Sequence, residues 1–162
     1  MCDLADPESL KTKLADMLAH HNAILTASGV EPVTVESLHS ALMVCGFFGF
    51  GIALERAAAL KQPIAFAAPA LAACGTVAAL ALQPGLAGIF WLLAALALVA
   101  VYAEVLRRAP ELHTAVEAAG ALVWAGGTLW WLLARPFSVV VAWWAAFLVL
   151  TIFGERRELA RF

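Results

Sequence analysis

Charge is what this sequence most lacks. Asp, Glu, Lys and Arg make up 14% of its 162 residues, against about 25% in soluble domains. Three stretches have none at all: Ser37–Leu54, Ile64–Ala103 and Phe137–Gly154. A soluble fold cannot solvate its surface across such runs. The near-neutral balance of -2 comes with no basic stripe, so nucleic acid is not expected as a partner. The three cysteines, Cys2, Cys45 and Cys74, form no CxxC pair, so the zinc and redox spacings are missing. Cys45 and Cys74 fall in mid-run, where Cys behaves as a small hydrophobe. The first 30 residues contain no apolar run of the signal-peptide kind. There is no glycine-rich phosphate loop and no nucleophile–base set. Gly126-Gly127 lies in an apolar run that cannot cradle a phosphate, and an enzyme is not expected.

What is present is hydrophobic residue, 64% of the chain, with a mean hydropathy of +0.89. The pattern predicts an all-α, polytopic transmembrane bundle of about five spans, at 37–54, 64–82, 86–103, 114–134 and 137–153. Each run is close to the roughly 20 residues a helix needs to cross hydrocarbon. Strands are excluded, because continuous Ala/Leu runs lack the alternation of a barrel strand. Short connections make neighbouring spans antiparallel. Pro69 inside the second run is expected to kink it.

A polar N-terminal segment, 1–36, precedes the 37–154 membrane domain, and a charged cytoplasmic tail, 155–162, follows it. Asp6-Pro7-Glu8 is a helix start, with a capping acid and Pro at the first helical position. Leu10, Leu14, Met17, Leu18, His21 and Leu25 then mark one stripe. An amphipathic helix at about 7–27 is expected, ending near Gly29. It lies on the membrane, on its own bundle or on a partner. Thr34, Glu36 and Ser37 cap the first span.

Five spans place Arg56, Lys61, Arg107, Arg108, Arg156, Arg157 and Arg161 on one side, and Lys11, Lys13 and Arg135 on the other. The positive-inside rule then puts the C-terminus in the cytoplasm and the N-terminus outside. Trp91, Trp130-Trp131 and Trp143-Trp144 fall toward the outer side, as interfacial anchors.

Ala41, Cys45, Gly49 and Ala53 recur every four residues, a small-residue stripe for close helix packing. Glu55, Arg56, Glu104, Arg107, Arg108, Glu117, Glu155 and Arg156 gather at the arginine-rich end and read as structural ion pairs. The same cluster is also an entry point for a proton or anion, but no acid lies in mid-bilayer to complete a relay.

His39 is the candidate for cofactor chemistry. It stands about one turn inside the first span, with Met43 at i+4 on the same face. A His/Met face ligates haem or copper. His113 opens the fourth span at the opposite end, on the order of 25 Å away at 1.5 Å rise per residue, so the two cannot share one iron. His20-His21 diverge by about 100° on a helix and make a poor chelate.

Two segments carry a resemblance. His39-Ser40-Ala41-Leu42-Met43-Val44-Cys45-Gly46-Phe47-Phe48-Gly49, with Leu54-Glu55-Arg56-Ala57, resembles the HGxLMVxGFxG…LERA pattern of a group of bacterial polytopic membrane proteins. Phe147–Leu159 resembles their FLVLTIxGERLEL segment. That group is distantly similar to the NnrS-like nitric-oxide-response family, which is associated with haem and copper. The resemblance covers most of residues 38–160 and implies an amino-terminal half, with His39 as a ligand completed from elsewhere. A Ser follows His39 where those proteins have Gly, and the N-terminal helix is outside the pattern.

The expected role is a non-catalytic, accessory subunit of a membrane complex, held with other subunits or as a homo-oligomer. A haem- or copper-binding protein in redox or nitric oxide response is the alternative, and a small transporter the third.

Overall fold

The computed structural model describes residues 7–27 and 35–159, and every described secondary element is a helix. Helix α1 spans Pro7–Ala27. The first long rod is composite: α2, Val35–Ala41, runs into a π-helical stretch, Leu42–Gly49, and continues as α3, Phe50–Leu60. A 3-10 turn, Pro63–Phe66, leads into α4, Ala67–Leu80. Then follow α5, Pro84–Arg108, α6, Leu112–Leu132, and α7, Phe137–Leu159.

The protein is membrane-embedded. Ser37–Leu60, Pro63–Leu80, Pro84–Arg108 and Phe137–Arg157 are long and apolar enough to cross a bilayer. Five such spans were expected, and α6 is the one that differs. It has the length, but Thr114, Glu117, Thr128 and three indoles dilute its apolarity. It can carry them because it packs between α5 and α7, its most extensive contacts. Thr114, Glu117 and Thr128 are all buried there. The helices also outrun the charge-free windows: the first continues past Leu54 and takes Glu55 and Arg56 inside its last turns.

Proline and backbone geometry set the joints. Pro63 and Pro84 occupy first helical positions, where the missing N–H has no partner to lose. The turns between α4 and α5 and between α6 and α7 use a left-handed residue without glycine: Leu82 at φ 55° and Ala134 at φ 50°. Gln83 N–H bonds back to Ala78 O and Leu82 N–H to Ala79 O, while Arg135 N–H reaches Trp130 O and Ala134 N–H reaches Trp131 O. These paired bonds satisfy the last carbonyls in the Schellman manner. Pro69 falls at the start of its helix and not in mid-helix. It is the third residue of α4, in the first turn after the 3-10 segment.

The small-residue stripe is buried along its whole length. Ala41, Cys45, Gly49 and Ala53 all face the bundle, and Ala57 extends the series. A pure α-helix would rotate such a four-residue repeat by roughly 40° per step, since its turn is 3.6 residues. The π stretch, with its wider i→i+5 turn, rotates it back. One straight seam therefore runs from Ala41 to Ala57.

Candidate functional site

The polar constellation of the bundle lies near the arginine-rich end. Arg56, from α3, places its Nη2 3.1 Å from Glu117 Oε1 on α6. The Glu117 side chain is 0% exposed and that of Arg56 16%. Glu117 fits because Gly154 of α7 has no side chain: a Cβ there would overlap Glu117 Cγ. Tyr102 of α5, also buried, puts its ring 5.9 Å from the Arg56 guanidinium carbon. Four helices thus converge on one ion pair. Two opposite charges this far from water persist only when each compensates the other.

Around it the other charges divide into two sets. Arg107 and Arg108 both bond Glu104, at 3.0 and 2.8 Å, within the last turns of α5. His113 Nδ1 lies 3.1 Å from Glu111. Glu55 and Arg156 are exposed, and Glu155 is half-buried. Of the eight residues expected in ion pairs, Arg56 joins Glu117 across 61 positions of sequence, and Glu104 joins its two arginines.

A second set of contacts joins the helices through tryptophan. Trp124 of α6 donates its Nε1–H to Cys45 Sγ at 3.3 Å, lies over Gly49 and stacks on Phe147 of α7 at 5.2 Å and 14°. Trp91 of α5 lies on Gly75 of α4, Trp131 of α6 beside Gly88 of α5, and Trp143 and Trp144 of α7 on Gly126 and Gly127 of α6. Trp91, Trp124, Trp143 and Trp144 occupy the space a missing side chain leaves on the neighbouring helix, and at Gly88 Leu132 takes that place with Trp131 at its side. Trp91 and Trp144 are therefore core residues, where the sequence suggested interfacial anchors. The rings reach glycines one helix away, and an inward position gives them more packing area than a headgroup would. Arg135 keeps an interfacial arrangement, its guanidinium 5.3 Å from the Trp130 ring.

His39 and Met43 are both exposed on the outer surface of the first rod. They stand at the opposite end of the bundle from His113, so the chain does not bring these groups together. Among the described residues, no three His, Cys, Asp or Glu side chains converge as a metal-ligand set. Cys74 is exposed on α4 and His20 on α1. Cys2, Gly29, Thr34, Arg161 and the side chains of Glu36 and His21 lie outside the described residues. On α1 itself Met17 is exposed.

Neither the Arg56–Glu117–Tyr102 grouping nor the glycine seats were found from sequence. A carboxylate one turn inside an apolar helix was the available signal for the first. For the second it was the matched supply of Trp and Gly in adjacent runs.

No solved structure matches this chain. A family model does match, over residues 10–162, taking in most of α1 together with the whole bundle. The chain belongs to that family, described as a domain of unknown function, DUF8744.

Proposed function

We propose that this protein is a non-catalytic integral subunit of a bacterial inner-membrane complex. The observation that carries the reading is the Arg56–Glu117 pair, whose carboxylate side chain is wholly buried and closed over by Gly154. This interior charge pair ties α3 to α6. Thr128 and Thr151 donate their hydroxyls to Trp124 O and Phe147 O within their own helices. His39, Met43, Phe47 and Phe48 are among the exposed residues of the first rod, a face suited to a neighbouring membrane helix.

The Lys and Arg distribution supports a cytoplasmic C-terminus. Arg107, Arg108, Arg156 and Arg157 close α5 and α7 at one end, whereas Arg135 sits in the turn at the other.

Native mass measurement after gentle extraction tests the proposal. A second membrane polypeptide, or a defined multiple of the chain, is expected beside it. A lone monomer that keeps its fold would end this reading.

The second reading is a haem or copper site using His39 and Met43, in line with the resemblance to the NnrS-like group. It is favoured by one observation: both side chains are exposed on the same rod, within reach of a ligand from another chain. An absorption spectrum with no Soret band, together with metal analysis showing no copper in the intact complex, removes it.

A further inference from the structure

The two arginine pairs that close α5 and α7 stand at the same membrane face, yet their surroundings differ. Arg107 and Arg108 share Glu104, which bonds both. Their charge is partly cancelled within one turn. Arg156 and Arg157, at the end of α7, are exposed and have no carboxylate at ion-pair distance among the described residues. Arg157 instead sets its guanidinium carbon 5.9 Å from the ring of Phe153, a side chain 54% exposed on the apolar part of the same helix. The stem therefore runs along apolar surface while the charge is held at the end of the span, the level of lipid headgroups.

We propose that Arg156 and Arg157 form a binding site for the phosphate of an anionic glycerophospholipid in the adjoining leaflet. Guanidinium recognises phosphate through paired N–H donors, and the ring of Phe153 restricts where the Arg157 fork can go. The acyl chains of the same lipid lie against the exposed apolar side chains Val149, Ile152 and Phe153 of α7. A lipid supplies both contacts at once, which a free phosphate cannot. The Arg107–Arg108 pair, at the same end of the bundle but bonded by Glu104, is the comparison.

The test uses the full chain in nanodiscs of phosphatidylcholine with a minor fraction of phosphatidylglycerol or cardiolipin, followed by release and native mass measurement of retained lipid. Each basic group near an anionic surface contributes roughly fivefold in affinity. The double variant Arg156→Gln/Arg157→Gln should thus lose retained anionic lipid by roughly 30-fold. Arg107→Gln/Arg108→Gln should lose no more than about fivefold, because Glu104 offsets one of the two charges. Arg157→Lys should recover only part of the loss, since an ammonium lacks the fork. Equal losses in both double variants would overturn the proposal in favour of a diffuse basic collar. Full competition by inorganic phosphate, with no advantage for the lipid, would also overturn it. Exposed positions at a helix end tolerate Gln, and unchanged melting of the variants confirms that the comparison is between folded proteins.

Discussion

The indole of Trp124 rests on Gly49, so closely that a Cβ at Gly49 would lie 2.5 Å from Cζ2 and 2.8 Å from Cη2 of the ring. The ring cannot yield, because Phe147 is stacked on it and Cys45 Sγ accepts its N–H. Gly49→Ala should destabilise the folded bundle by about 1–3 kcal/mol, the usual cost of overpacking a well-filled core. Gly51, two residues on, faces open space, with nothing within 4 Å of an added Cβ. Gly51→Ala should stabilise by about 0.5–1 kcal/mol through helix propensity. Reversible unfolding in mixed micelles reads both; equal effects at the two positions would contradict the packing described.

Removing one member of the buried pair leaves the other without compensation. Glu117→Ala or Arg56→Ala should each cost about 3–5 kcal/mol. The double change Arg56→Met/Glu117→Leu should regain most of that, since it removes both charges and fills the volume. A full double-mutant cycle in detergent measures the coupling. Additive losses would mean that the two side chains do not sense each other.

The ion pairs of Glu104 differ from that pair in exposure. Arg107 is 80% and Arg108 53% exposed at the side chain. Glu104→Gln is expected to shift unfolding free energy by less than about 1 kcal/mol. The same measurement distinguishes it from Glu117→Gln, which should cost several times more.

Ala134 holds a left-handed backbone that glycine adopts without strain. Its Schellman bonds are already in place. Ala134→Gly should therefore stabilise by about 0.5–1 kcal/mol, relief of the αL cost outweighing the added freedom of the unfolded chain. A fall in melting temperature would show that the turn is held by its side chain instead.

Topology is read directly by labelling. With Arg107, Arg108, Arg156 and Arg157 inside, a single Cys at exposed Lys61 should resist an impermeant thiol reagent in intact cells, and one at exposed Arg135 should react, in a background with the native cysteines removed. The opposite pattern would invert the orientation proposed above.

Much of this architecture could be read before any coordinates, because composition and run length bear directly on burial in lipid. The helical rods followed from charge-free windows. The Ala41–Ala53 stripe followed from side-chain size alone. Three features were hidden for physical reasons. The turn residues Leu82 and Ala134 carry no glycine signal, and only paired backbone bonds reveal their conformation. Pairing of Arg56 with Glu117 depends on which helix faces which, information that periodicity within one helix does not hold. Tryptophan is enriched both at membrane interfaces and in cores, so Trp91 and Trp144 could be sorted only by the glycines opposite them.

The π-helical stretch gives the first rod slack in chain length. Loss of one residue between 42 and 48 would let the wide turn tighten to an ordinary one, with Ala53, Arg56 and Ala57 still aimed at the same neighbours. The same deletion in the tightly wound part below would swing every later side chain by about 100° and carry Arg56 away from Glu117. Tolerance to shortening is thus concentrated in a single segment of this rod, and its lower half is fixed in length.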